Sequence, residues 1–321
     1  MIHEKRAILF LMMLLFTAFT GCTAAKEKTV PVSAAAQSEE SAAPVKVYGI
    51  PMDEKAAVIA DSMVDIFSEP DVQSERITQS LYNQPVSILD EKSGWARVAV
   101  VDGSRGWVRI KFLDRDISSI YGKESNHRIV VTSKEKSVFS SPSGGYTVKD
   151  VAMGTELLSF NDYSGAYEVY LPGSRTGWLR GSGLMHIEMN SRVPVTKKED
   201  FVATALKFKG TSYLLSGLSS MGMDSSGLVY ISARINGVNL SRNIGGQYLS
   251  GSSVDIGEAR EGDLVFLAPG GDSKAPACVG ICIGNGSYIY AGRLAGYVTI
   301  SSLNDINMEG QIIAIRRIFA K

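Results

Sequence analysis

The chain has 321 residues, too many for one ordinary domain and enough for two or three separate cores. Hydrophobic residues make up 45% and charged residues 21%, a globular composition that excludes a disordered chain. Lys+Arg 33 balances Asp+Glu 33, so no net field draws in nucleic acid, and 3 Cys with 3 His leave little material for a metal centre. No cofactor is expected.

Lys5 and Arg6 precede an apolar run from Ala7 to Phe19. The run is too short to span a bilayer permanently but suits the apolar region of a signal peptide. It ends in Phe19-Thr20-Gly21-Cys22, which resembles a bacterial lipobox, where the Cys thiol receives a diacylglycerol. The resemblance implies that residues 1–21 are a lipoprotein signal peptide. The mature chain would start at Cys22, anchored to a bacterial membrane outside the cytoplasm. Residues 22–46 are rich in Ala, Ser, Glu and Lys and bury too little to fold, so they read as a flexible tether. The remaining cysteines, Cys278 and Cys282, would lie roughly 13 Å apart on an extended strand, beyond disulfide reach.

From Ala57 to Leu113, short alternating runs are separated by turns such as Glu69-Pro70-Asp71 and Asp102-Gly103-Ser104, a small-barrel pattern. The pattern then repeats. Ile66-Phe67 returns as Val138-Phe139, 72 residues on, and Gly106-Trp107-Val108 as Gly177-Trp178-Leu179, 71 residues on. Both copies resemble bacterial SH3 domains, expected over residues 47–118 and 125–189. In that family such modules bind cell-wall peptide or position a catalytic domain. A Trp between Gly and an aliphatic residue mostly fills a barrel, so Trp107 and Trp178 are read as core residues.

Thr196-Lys197-Lys198-Glu199 matches a capping box ahead of Phe201, Ala205, Leu206 and Phe208 at helical spacing. This predicts a helix over 197–208, stopped by Gly210. A loop carries Tyr213-Leu214-Leu215-Ser216-Gly217. A second helix starts at Ser225, with Leu228, Ile231 and Ile235 in period and Gly237 as its stop. A side chain at Ser225 therefore sits where a helix dipole favours an anion, a place where a thiolate would be stabilised. Strands follow at 262–267, 277–284, 286–291 and 312–317, giving an α+β domain.

This order over residues 196–321 resembles the NlpC/P60 family, whose fold is papain-like. Its anchors are the Tyr213–Gly217 loop, Asp224 with Ser226-Gly227, Arg242 ahead of Gln247, Gly262-Asp263-Leu264 and Val279-Gly280-Ile281. The expected architecture is multidomain: two small all-β SH3-like barrels, then the α+β papain-like domain. With such modules upstream, the chain resembles γ-D-glutamyl-diamino-acid endopeptidases that cut peptidoglycan stem peptides.

The family's chemistry uses a Cys nucleophile, a His base and a polar orienter. The matching positions here are Ser225, Cys278 and Tyr290. The only histidines are His3, His127 and His186, so the last domain holds no imidazole. Helix-end electrostatics supply about 0.3–2 kcal/mol, far short of ionising an alcohol near neutral pH. Removing triad members costs on the order of 10⁴ to 10⁶ in rate. Cys278 as a nucleophile is the weaker idea, since it starts a strand with no dipole behind it. Cys278 and Cys282 read as small buried hydrophobes. The resemblance further implies that Asp224, Ser226 and Tyr213 help hold the free amine of the peptide's L-Ala end, while Asp224 alone is equally readable as a helix cap. Leu215-Ser216-Gly217 departs from the family's Trp-Gly-Gly.

The sequence thus points to a lipid-anchored pseudoenzyme that binds peptidoglycan stem peptides or scaffolds cell-wall enzymes. The alternatives are a hydrolase that retains activity through Ser225 or an unrecognised base, and a structural lipoprotein with a closed cleft.

Overall fold

A computed structural model of the chain describes residues 46–47, 50–121, 125, 127–189, 191–269 and 275–319. The expected leader, Cys22 and nearly all of the tether lie outside the described residues. No helix among the described residues is long and apolar enough to cross a membrane.

A short ribbon (β1, Lys46–Val47; β2, Ile50–Pro51) leads into the first module. This module contains β3 (Ala56–Ile59), β4 (Met63–Phe67), β5 (Arg76–Leu81), β6 (Pro85–Lys92), β7 (Trp95–Val100), β8 (Arg105–Arg109) and β9 (Leu113–Asp114). The second contains β10 (His127–Val131), β11 (Glu135–Ser141), β12 (Gly144–Ala152), β13 (Glu156–Tyr163), β14 (Ala166–Leu171), β15 (Arg175–Arg180) and β16 (Leu184–Glu188). The sheet orders are β5-β4-β8-β7-β6-β3-β9 and β12-β11-β15-β14-β13-β10-β16, one order used twice. The sequence repeat is therefore a repeat of topology. Phe67 pairs with Trp107 across strands, and Phe139 with Trp178 in the same way.

The reading of Trp107 and Trp178 as core residues is corrected by the strand alternation. Val108 and Leu179 are fully buried, and Gly106 and Gly177 share their face. The two tryptophans point the other way and are only partly covered. The buried tryptophan is Trp95, with Phe67 edge-on at 5.9 Å and the Arg109 guanidinium 4.2 Å over its ring.

In the last domain α1 (Lys198–Leu206) and α2 (Ser225–Ile235) pack on one face of a sheet ordered β19-β24-β20-β21-β22-β23. Its strands are β19 (Ser252–Val254), β20 (Leu264–Ala268), β21 (Cys278–Gly284), β22 (Ser287–Ala291), β23 (Val298–Ser302) and β24 (Gln311–Arg317). A small ribbon, β17 (Leu218–Ser219) with β18 (Gly222–Met223), precedes α2, and a short α3 (Ile244–Tyr248) follows it. The expected capping box of Thr196 and Glu199 does not form: the N-cap is Lys197, whose ammonium cannot accept, and only the reverse contact is made, Asp200 Oδ2 accepting from Lys197 N at 3.2 Å. Val279 and Ile281 face the helices. Cys278, Cys282, Tyr288 and Tyr290 form a separate buried cluster with Val265 and Leu267.

The three parts share cores. Leu81 of the first module and Val130, Met153 and Ile187 of the second join the cluster around α2. Tyr82 is fully buried among second-module residues such as Ile129, Val151 and Leu179. Glu156 ties all three together. Its carbonyl accepts from Asn83 Nδ2 at 3.1 Å, and its carboxylate meets Arg234 Nη2 of α2 and Arg128 Nε, both at 3.1 Å.

Candidate functional site

The site begins with Asp224, the N-cap of α2, whose Oδ1 accepts from Gly227 N at 2.6 Å. Capping is expected of Asp here, because the first backbone N–H groups of a helix have no partner within it. The same oxygen accepts from Ser226 Oγ at 3.2 Å and Arg242 Nη1 at 3.0 Å. Oδ2 accepts from Ser216 N at 3.0 Å and Arg242 Nη2 at 3.3 Å. A carboxylate has about four lone-pair sites, so these contacts saturate it. Arg242 also offsets its charge, with the two side chains only 7% and 13% exposed. The helix-cap reading of Asp224 is thus directly visible. No lone pair is left over for a ligand's amine, and Asp224 acts on the site through the loop and helix it joins.

Arg242 completes that joint. Its Nη1 donates to Ser226 Oγ at 2.9 Å and its Nη2 to the Gly217 carbonyl at 3.0 Å. Gln247 Nε2 donates to the Ser226 carbonyl at 2.9 Å and the Ser241 carbonyl at 2.8 Å. The loop from 213 to 217 lies so close to α2 that a Cβ on Gly227 would meet the Gly217 oxygen at 2.3 Å. Glycine at 227 is therefore a packing requirement of this joint.

Ser225, the first residue of α2, is buried, and its hydroxyl lies within hydrogen-bonding reach of the Cys278 thiol. Burial pushes that thiol up to about 12, helped by the nearby Glu309 charge and only partly offset by Ser225. At neutral pH the sulfur is protonated, so it is neither a base for Ser225 nor a nucleophile of its own. Tyr290 pairs with Gly280 in the next strand and donates to Asn307 Oδ1 at 3.3 Å. Burial raises Tyr290 and Tyr213 above the usual phenol range, so both stay neutral. The structure thus brings Ser225, Cys278 and Tyr290 to one place, with Asp224 and Ser226 beside them. The charges of Asp224, Arg293 and Glu309 are all felt at Tyr213.

The two described histidines belong elsewhere. His127 and His186 sit on paired strands of the second module, 6.5 Å apart between ring centroids, with Tyr167 4.3 Å from His186. No hydrogen bond among the described residues links either to Ser225. Cys278 and Cys282 are both free and buried. Among the described residues no group of His, Cys, Asp or Glu could hold a metal ion.

Several residues of the site carried no signal in the sequence. The first module reaches it twice: Arg76 Nη1 donates to the Leu215 carbonyl at 3.0 Å, and Gln79 Oε1 accepts from Leu218 N at 2.8 Å. Both contacts join residues 139 apart in the chain, which no local pattern reveals. Asn307 and Glu309 come from the loop before β24. Asn307 Nδ2 donates to Tyr288 Oη at 2.6 Å, and Glu309 N donates to Asn307 Oδ1 at 2.8 Å.

Residues 210–317 match the model of the NlpC/P60 family, and residues 62–114 match that of the bacterial SH3 domain. The chain is 25% identical over 234 residues to a gamma-D-glutamyl-L-lysine dipeptidyl-peptidase of Bacillus cereus, spanning 71% of this chain and 70% of that one. It is 24% identical over 261 residues to dipeptidyl-peptidase 6 of Lysinibacillus sphaericus, spanning 78% and 92%. The crystal structure of an NlpC/P60 family protein from Bacillus cereus overlays with a TM-score of 0.74 at 23% identity. It covers 82% of this chain and 99% of that one, which establishes a shared fold.

Proposed function

We propose, for a chain that carries an NlpC/P60 domain behind a bacterial SH3 domain, that it binds peptidoglycan stem peptides with a γ-D-glutamyl–diamino acid link and does not cut them. The chain is related to the peptidoglycan endopeptidases of this family, and the names of its relatives supply the peptide class. What carries the non-cutting half is the protonated Cys278 thiol beside Ser225, in a domain without a histidine. Amide hydrolysis needs a group that takes the proton from the attacking hydroxyl and returns it to the leaving amine. The thiol, phenol and asparagine side chains beside Ser225 offer no such group near neutral pH, and no hydrogen bond among the described residues joins the Glu309 carboxylate to the Ser225 hydroxyl. The joint of Asp224, Arg242 and Ser226 holds the loop that carries Tyr213 against α2, which supports recognition by a fixed surface.

The test uses the mature protein and the peptide L-Ala-γ-D-Glu-L-Lys. Calorimetry is expected to detect binding, and mass spectrometry of the same mixture is expected to show the peptide whole after prolonged incubation. Turnover that vanishes in Ser225→Ala would establish a serine hydrolase instead.

The same reading places the mature chain outside the cytoplasm, held to a membrane through a lipid on Cys22 and available to scaffold cell-wall enzymes. Its support is the basic, apolar and small-residue order from Lys5 to Cys22. Fatty-acid labelling in a bacterial host is expected to mark the protein and to disappear in Cys22→Ala.

A further inference from the structure

The saturation of Asp224 leaves the site without a free anion at its most heavily hydrogen-bonded carboxylate. The charge that is available belongs to Glu309. Its Oε1 accepts from Leu294 N at 2.6 Å, and no other hydrogen bond to its carboxylate is present among the described residues. No ion pair among the described residues involves it. Its backbone is fixed by Asn307, which in turn holds Tyr288 and Tyr290. The carboxylate lies beside Gly292 on the Tyr290 side of the site, because a Cβ added at Gly292 would come within 2.9 Å of Tyr290 Cε2 and 3.1 Å of Glu309 Oε1. Its negative charge is felt at Cys278, Tyr213 and Tyr290 alike.

The chain segments that meet at this carboxylate carry exposed aliphatic residues. Leu294, whose backbone N–H it accepts, is 58% exposed, and Met308, the residue before Glu309, is 68% exposed. A fixed carboxylate with exposed aliphatic residues at its backbone partner and at the adjoining chain position suits a ligand with an aliphatic stem ending in an ammonium. The exposed cation nearby, Arg293, makes no ion pair with Glu309, and its charge is felt at Tyr213.

We propose that Glu309 is a specificity-determining residue that takes the ε-ammonium of a lysine-type side chain of the bound peptide, the stem lying against Leu294 and Met308. This rests on the peptide-binding reading above and names the group that selects the diamino acid.

The experiment compares L-Ala-γ-D-Glu-L-Lys with its Nε-acetyl and Nα-acetyl forms by calorimetry, on the wild-type chain and on Glu309→Gln, which keeps the acceptor for Leu294 N. The unmodified peptide is expected to bind wild type about five- to tenfold more tightly than the Nε-acetyl form. Glu309→Gln is expected to erase that difference while leaving the affinity for the Nε-acetyl peptide unchanged. Equal binding of the unmodified and Nε-acetyl forms to wild type, or a preference that persists in Glu309→Gln, overturns the role of Glu309 and leaves the peptide-binding reading standing. Sensitivity to Nα-acetylation alone likewise overturns it in favour of the peptide's terminal amine. If the unmodified peptide does not bind wild type at all, the peptide-binding reading itself falls, and the assignment of Glu309 falls with it.

Discussion

Arg242 holds Asp224, Ser226 and the Gly217 carbonyl at once, so its loss leaves a nearly buried carboxylate without its cation. Removing one partner of such a pair costs about 3–5 kcal/mol, far more than the roughly 0–1 kcal/mol of an exposed pair. Urea unfolding of Arg242→Ala is expected to show a loss in that range, against about 1 kcal/mol or less for the exposed Arg115→Ala. The reacting position yields a second prediction. Ser225→Cys places a thiol at the start of α2 but supplies no imidazole, so mass spectrometry under reducing conditions is expected to find the peptide uncut. Cys278 supplies a third, through its own proton. Its folded value of about 12 exceeds the ordinary 9.0, so the folded state binds that proton more tightly than the unfolded one. The resulting stability is complete below pH 9 and is lost as pH climbs toward 12, by up to about 1.4 kcal/mol per pH unit. Cys278→Ser, whose hydroxyl does not titrate there, is expected to show a shallower decline over that window in denaturant unfolding.

At the scale of elements, α2 starts where it does because Asp224 caps it, and it can approach the 213–217 loop because residue 227 has no side chain. Gly227→Ala is expected to lower stability by about 1–3 kcal/mol and to weaken peptide binding, since the added carbon must push the loop or the cap aside. Thermal unfolding and calorimetry read the two effects separately. Much at this scale was legible in the sequence. The period of Leu228, Ile231 and Ile235 and the stop at Gly237, which has φ +74°, mark α2 from chain order alone. Apolar runs likewise marked β20, β21, β22 and β24. The short α3, the ribbon of β17 and β18, and β23 escaped notice because each is too brief or too polar to show a period. Within the site, Asp224, Ser225 and Cys278 could be located because motifs surround them. Glu309 could not, because an acidic residue in a loop has no periodicity, and its position depends on Asn307 and two tyrosines on another strand. Small or apolar neighbours point Trp107 and Trp178 to the core. Strand alternation puts those neighbours inside and the rings outside.

At the scale of the whole chain, the modules are joined by buried chemistry. Glu156 answers Arg234 and Arg128, and its main chain receives Asn83. Glu156→Gln keeps the shape and removes the negative charge between two guanidinium groups. It is expected to lower stability by about 3–5 kcal/mol and to pull the last domain's unfolding away from that of the β modules. Scanning calorimetry is expected to show one transition for the wild-type chain and two for the variant. The repeat of sheet order was visible from two short echoes in the sequence, but the joints were not. They depend on Tyr82, Asn83 and Gly154, residues whose neighbours lie in another module.

Tyr82 also bears on how the molecule is made. The ring belongs to the first module by connectivity, yet its covering residues extend to Leu179. On the ribosome, the first barrel can close long before that cover has been translated. A bulky aromatic group then faces water at the tunnel exit until the second barrel arrives, which makes the order and pace of synthesis part of how this chain avoids sticking to its neighbours.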